Sequence, residues 1–297
     1  MKPCVFTGCC VALVTPMTEE GFINLDSLKD LIEFVIEGGA DALLVCGTSG
    51  ESATLTTLER EQIIRCSVEI ARGRLPVIVG TGSNDTQHAI AQSQQAQSLG
   101  ADALLVVTPY YNKTSQAGLV QHFFAIADGV NLPVILYNVP SRTGMTIQPE
   151  TYLALSRHPR IVGVKEASGD LSAIAAAKAL CQDSLWFYSG NDDQIVPILS
   201  LGGVGVISVL ANIAPKLTGQ ICSYALSGNY AKAAELQLSA KPLIDALFSD
   251  VNPIPVKYAL NRLGHSVGPC RLPLVSPSAQ IIARIDRQLI DAGLMAP

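Results

Sequence analysis

The segment Ile161-Val162-Gly163-Val164-Lys165-Glu166-Ala167-Ser168 ends an uncharged, β-branched run in a lysine. Taking an ammonium out of water is costly. A lysine so placed either finds an anionic partner, snorkels to solvent or gives up its proton. The neutral amine is a nucleophile and can form a Schiff base with a carbonyl substrate. Four other stretches are rich in hydroxyls: Gly47-Thr48-Ser49-Gly50-Glu51-Ser52, Thr108-Pro109-Tyr110-Tyr111-Asn112, Tyr137-Asn138-Val139-Pro140-Ser141-Arg142-Thr143-Gly144, and Ser189-Gly190-Asn191-Asp192. Imine formation needs protons moved to and from a carbinolamine, which a tyrosine can do when hydrogen-bonded hydroxyls relay them. An arginine fork suits a substrate carboxylate, and backbone N–H groups in a Thr48-Ser49 turn could hold a second one.

Each stretch also has a plain structural reading. Gly47 to Ser52 could be a turn with a helix N-cap, Tyr110 and Tyr111 interface aromatics, and Arg142 a surface ion-pair former. Phosphate-binding readings fail. The 47–52 loop has no Walker lysine, and Gly80-Thr81-Gly82-Ser83-Asn84-Asp85 puts Asp85 where a dinucleotide fingerprint needs its third glycine. Separate structural readings leave one thing unexplained, which is that an appropriate fold would bring all these residues to one place.

The elements that could do so show up first as a repeat. Gly39-Ala40-Asp41-Ala42-Leu43-Leu44-Val45 recurs letter for letter as Gly100-Ala101-Asp102-Ala103-Leu104-Leu105-Val106, 61 residues on. In each copy a glycine closes a helix and a buried strand follows. Extending that template predicts strands near 8–14, 42–46, 76–80, 102–107, 133–137, 161–165, 185–189 and 204–208. Helices are predicted near 25–38, 57–72, 85–98, 115–129, 149–157, 170–181, 192–200 and 215–227. Thr56 with Glu59 has the form of a capping box, Pro149 suits a helix first turn, and Gly73, Gly100 and Gly129 suit helix exits. Eight such units predict an α/β fold, a (β/α)8 TIM barrel, with its chemistry at the C-terminal ends of the strands. Those ends are where the hydroxyl-rich stretches and Lys165 fall. After residue 228 the strands stop, and Tyr230–Phe248, Pro255–Leu263 and Ala279–Ala292 read as amphipathic helices. The expected organisation is a catalytic barrel over 1–227 and a helical C-terminal extension over 228–297 packed on it.

The chain of 297 residues is 48% hydrophobic and 15% charged, ample apolar material for one large core. A net charge of -5 without a basic run argues against nucleic acid or an anionic membrane as partner. No apolar run approaches a bilayer span. Phe6-Thr7-Gly8-Cys9 faintly resembles a lipoprotein box, but the five residues before it are too few for a signal segment. The eight cysteines (4, 9, 10, 46, 66, 181, 222, 270) form no CxxC pair and read as reduced core residues of a cytoplasmic protein. The four histidines (88, 122, 158, 265) show no metal-ligand spacing.

Over nearly its whole length the chain resembles the dihydrodipicolinate synthase family, within the pyruvate-dependent class I aldolases that also include N-acetylneuraminate lyase. The matching motifs are GTSGES at 47–52, TPYYN at 108–112, YNVPSRTG at 137–144, GVKEASG at 163–169, SGND at 189–192 and GVISV at 205–209. GTSGE-like and GVK-like pieces alone mark only the superfamily; together the set is specific. The resemblance implies that Lys165 forms a Schiff base with pyruvate, that Tyr137 is the proton donor and acceptor, and that Thr48 and Tyr111 complete the relay, Tyr111 reaching a neighbouring subunit's site. It places Ser49 and Ile207 (through its backbone) at pyruvate, Gly190 among the substrate-binding residues, and Arg142 on the carboxylate of L-aspartate-4-semialdehyde. Ser49 departs from the commoner threonine but keeps the hydroxyl. The implied reaction feeds diaminopimelate and lysine, needs no metal or organic cofactor because the imine is the electron sink, and is run by a homodimer or homotetramer. A sugar keto-acid lyase is the nearer alternative, argued against by SRTG, since that branch lacks the arginine; a non-catalytic barrel is the remoter one.

In lysine-inhibited members of the family the inhibitor's ammonium meets a glutamate at the dimer interface. The matching positions here are Ser52, Ala53, Leu55, Thr57, Arg60, Asn84, His88 and Tyr110. His88 stands at the glutamate's place and Arg60 adds a positive charge, so the pocket is expected not to serve lysine.

Overall fold

The computed structural model describes residues 2–296. Eight parallel strands close into a barrel in chain order. They are β1 (Gly8–Ala12), β2 (Ala42–Val45), β3 (Val77–Gly80), β4 (Ala103–Val107), β5 (Val134–Asn138), β6 (Ile161–Glu166), β7 (Trp186–Ser189) and β8 (Gly205–Ser208). Helices α1 (Leu25–Glu37), α2 (Thr57–Ala71), α3 (Thr86–Ser98) and α4 (Gln116–Asp128) follow the first four strands. A short α5 (Pro140–Thr143) precedes α6 (Pro149–Leu155), and α7 (Leu171–Cys181), α8 (Ile195–Ser200) and α9 (Pro215–Leu226) complete the ring. Helices α10 (Tyr230–Leu247), α11 (Ile254–Arg262) and α12 (Ala279–Asp291) make up the C-terminal segment.

The strands are buried on both faces, which is why they read as continuous apolar runs rather than alternating ones. Alternate residues divide between two cores. Cys10, Ala12, Leu44, Ile78, Leu105 and Ile135 fill the barrel interior. Val11, Leu43, Val79, Leu104 and Val134 pack under the helices. The repeated Gly39 and Gly100 both take left-handed backbone angles (φ 85° and 92°), a turn that an L side chain resists. The Thr56/Glu59 capping box forms as expected, and Pro149 sits in the first turn of α6.

Three details differ from the sequence-based expectation. The helix expected at 192–200 begins as a single 3-10 turn over Asp192–Gln194, because the Asp192 carboxylate turns inward to accept the N–H groups of Val209 and Leu210. The turn after β5 is helical as α5 and carries Arg142. Six cysteines are buried, but Cys4 is exposed and Cys270 partly so, since both lie outside the barrel elements.

The C-terminal segment is tied to the barrel's β2 loop and α2. Arg271 bonds Glu59 through both guanidinium NH2 groups and donates to the carbonyls of Gly21 and Thr54. The Arg271 guanidinium holds the Glu59 carboxyl down to about 2, so the contact stabilises the fold at neutral pH and is lost as pH falls. The melting-temperature gap between the native chain and Glu59→Gln should therefore be constant above about pH 5 and close progressively between about 4.5 and 2. A gap as wide at about pH 3 as at about pH 7 would show that this tie carries no proton linkage.

Candidate active site

Residue 137 of β5 lies opposite residue 165 of β6, and 138 opposite 166. The first pair faces the barrel interior. Lys165 is 5% exposed and Tyr137 8%, and the lysine Nζ lies 4.5 Å from the centroid of the tyrosine ring. Among the described residues Lys165 has no carboxylate within ion-pairing distance, and its amine meets an aromatic face instead. Gly190, at the end of β7, is small for a local reason. A Cβ there would stand 2.7 Å from the Ala167 Cβ and 3.1 Å from the Lys165 Cγ, so any side chain would push on the lysine stem.

These groups open onto a cavity of about 170 Å³ at the C-terminal mouth of the barrel. Thr48, Ser49, Tyr137, Arg142, Lys165 and Gly190 all line it. Six separate expectations from the sequence thus meet at one place. Two do not. Tyr111 is 90% exposed, held outward by a left-handed backbone (φ 67°) that costs a non-glycine residue about 1–2 kcal/mol. Ile207 packs within the interior cluster below, and the β8 side of the cavity is supplied by Val209.

A second cavity of about 900 Å³ shares Thr48, Tyr137 and Arg142 with the first and runs outward between α2 and α3. Thr57, Arg60, His88 and Tyr110 line it, together with Ser52, Ala53 and Leu55. Asn84 does not; its carbonyl accepts from the Asn112 side chain at 2.8 Å. Arg60 is buried and donates to the Gly80 carbonyl at 2.7 Å.

The C-terminal segment completes the smaller cavity, which the sequence did not indicate. Asn252 and Phe248 line it. The Asn252 amide donates to Ser49 Oγ at 3.0 Å, and Arg142 donates to the Asn252 carbonyl at 3.2 Å. Beneath the 47–52 loop, Lys257 pairs with Glu51 at 2.9 Å with both side chains almost wholly buried. Lys257 also donates to the Thr15 carbonyl, and the Arg271 backbone N–H donates to the other Glu51 oxygen. Lys257 sits in the run Ile254-Pro255-Val256-Lys257-Tyr258-Ala259-Leu260, the same lone-cation signal that marked Lys165. Asn252 carried no signal, being joined to Ser49 across 203 residues of chain.

Two buried carboxyls flank the site. Burial pushes the Asp192 carboxyl up, against the N–H groups of Leu210 and Val209 that bond its Oδ2, and its Oδ1 has no partner. Burial likewise raises Glu166, against bonds from Tyr152, Ser168 and Asn138. Among the described residues no group of three or more His, Cys, Asp or Glu is placed to hold a metal ion.

The two buried lysines should answer differently to the same substitution. Lys257→Met strands Glu51 in the interior and should cost about 3–5 kcal/mol in urea unfolding. Lys165→Met removes a cation with no ionic partner and should leave stability within about 1 kcal/mol or raise it. Equal losses would mean that Lys165 has an ionic partner after all.

The family model described as "Dihydrodipicolinate synthetase family" matches residues 5–291. A 4-hydroxy-tetrahydrodipicolinate synthase of Thermoanaerobacter sp. (strain X514) is 53% identical over 292 residues, covering 98% of each chain. The chloride-inhibited dihydrodipicolinate synthase of Acinetobacter baumannii, solved with pyruvate, is 42% identical and superposes with a TM-score of 0.96 over 97% of this chain and 99% of that one. The Cyanidioschyzon merolae protein, solved with lysine bound, is 38% identical, with a TM-score of 0.96 over 99% and 100%.

Proposed function

The chain belongs to the dihydrodipicolinate synthetase family, and from that membership and the cavity at the barrel mouth we infer that it is a lyase-class enzyme condensing pyruvate with L-aspartate-4-semialdehyde. The product is 4-hydroxy-tetrahydrodipicolinate, on the route to diaminopimelate and lysine. The observation that carries the site assignment is a buried lysine without an ionic partner, beside a tyrosine and within one cavity of an arginine.

The Lys165 amine adds to C2 of pyruvate, giving a carbinolamine that loses water to form an imine. Tyr137, opposite Lys165 on β5 with its ring against the amine and its side chain lining the cavity, supplies the proton to the departing oxygen and takes one back, with Thr48 as its relay. The cationic imine accepts the electron pair left when a C3 proton departs, so no other electron sink is required. The resulting enamine carbon attacks the aldehyde of the second substrate. Its amino group then displaces Lys165 from C2, which closes the ring and frees the enzyme. Ser49, fixed by Asn252, holds the pyruvate carboxylate with the adjoining backbone N–H groups, Ile207 lends its backbone from below, and Arg142 holds the carboxylate of the semialdehyde.

Tyr111 completes the relay from a second copy. Its outward ring and strained backbone support a residue presented to a neighbour rather than to its own cavity. The active form is accordingly a homodimer or a pair of dimers. Cytoplasmic residence fits the reaction, and no described helix is long and apolar enough to cross a membrane.

Pyruvate with borohydride should add one reduced adduct per chain, mapped to the Lys165 peptide; an adduct at another lysine would remove the assignment. Arg142→Ala should raise the KM for aspartate semialdehyde roughly ten- to a hundredfold with little change for pyruvate, the loss of one charge-assisted contact. An equal effect on both substrates would make the arginine structural.

Feedback by L-lysine is not expected. Glu51 is the one carboxylate among the residues lining the larger cavity, and Lys257 already holds it. An ammonium placed there would meet Arg60 and His88 without a counter-charge. Initial rates at subsaturating pyruvate should be unchanged up to about 1 mM lysine; strong inhibition below that would show another group acting as the counter-charge.

A further inference from the structure

The β5–β6 pair is not regular. Residue 134 opposes 161, but 135 opposes 163, so Val162 is an extra residue on β6. A bulge of this kind shifts every later residue to the other face of the sheet. Without it, Val164 would stand against Tyr137, and Lys165 would stand against Asn138 on the outward side. The bulge is therefore what turns Lys165 into the barrel. Something at the far end of the strand must hold that register against the regular one.

The pair outward of Lys165 and Tyr137 is Glu166 and Asn138, both buried. Asn138 Nδ2 donates to both carboxylate oxygens of Glu166, at 3.0 and 3.1 Å. Tyr152 on α6 donates its hydroxyl to Glu166 at 2.6 Å, and the Ser168 N–H donates at 2.9 Å. The Ser168 bond is local, but Asn138 and Tyr152 come from two other elements, and they meet the Glu166 carboxylate because the bulge turns Glu166 to the outward face. Asn138 does more. Its side chain donates to Thr146 Oγ1 at 3.2 Å and accepts the Ile147 N–H at 3.1 Å. The loop that carries Arg142 thus leaves from Asn138 and returns to it.

We propose that Glu166, acting through Asn138 and Tyr152, is a positioning residue that holds the bulged strand register, aiming Lys165 at Tyr137 and fixing the base of the Arg142 loop. This rests on the reading of Lys165 as the imine-forming amine. Glu166 touches neither substrate nor the reacting atoms. The neighbouring Lys165 and the distant Arg142 take their positions from one node.

The test compares native protein with Glu166→Gln, Asn138→Asp and the double variant, using the rate of pyruvate-dependent borohydride trapping at Lys165 and the KM for each substrate. Native trapping is the control: if it fails, the lysine assignment is wrong and the node is not in question. Glu166→Gln offers one acceptor where two are used, and Asn138→Asp sets two carboxylates face to face. Each should slow trapping at least tenfold and raise the KM for aspartate semialdehyde. The double variant restores a donor opposite an acceptor and should recover part of both losses. If Glu166→Gln does not fold, Tyr152→Phe removes a single donor and should slow trapping severalfold with the same KM change. Folded variants that trap at the native rate, or lose only kcat in proportion to folded protein with KM unchanged, would overturn the proposal.

Discussion

A cation taken out of water must be compensated, and this fold contains the two ways of doing it side by side. Lys165 and Lys257 are both buried, and both sit in apolar runs that look alike in sequence. Lys257 is compensated by Glu51 and two carbonyls. It is a tie that anchors the 47–52 loop from below. Lys165 has an aromatic face and a cavity. The contrast between partners, not burial, distinguishes the two lysines, and under the proposed function the one without an ion-pair partner is the imine-forming amine.

The barrel was legible because its determinants are local. Each strand is a short apolar run, each helix has a cap or an exit glycine, and the exact repeat at Gly39 and Gly100 shows the unit of construction. The first half of the site was legible for the same reason, since strand-end residues of a barrel share one mouth. What could not be read were the long-range closures. Nothing near Asn252 announces that it meets Ser49, and nothing near Glu51 announces Lys257. Tyr111 and Ile207 rest on the family resemblance alone, and the single chain leaves Tyr111 outside the cavity and Ile207 below it. The bulge at Val162 was equally hidden, because one extra residue in an apolar strand leaves the hydrophobic pattern almost unchanged.

Register, more than residue choice, decides what the barrel mouth can do. Alternation gives every strand an inward and an outward set, and the inward set of β6 includes Lys165 only because the strand gains one residue on its neighbour. The outward set then becomes the control point. Asn138 and Glu166 are polar where their neighbours in the outer core are apolar. A buried polar pair of this kind gives little net stability over an apolar one, yet it penalises any register that leaves its donors unmatched. Specificity of pairing is the property such a site needs.

Closure by the C-terminal segment has a consequence for how the site comes into being. The first 208 residues contain all eight strands, but the cavity at the barrel mouth lacks a wall until Phe248 and Asn252 arrive. Those residues are held in place by α10 and α11, and α11 in turn is anchored by Lys257 under the very loop that presents Thr48 and Ser49. Loop and lid therefore stabilise one another. Either alone would leave a buried charge or an open mouth. The helical segment is part of the cavity wall because the same contacts that bury it also shape the cavity.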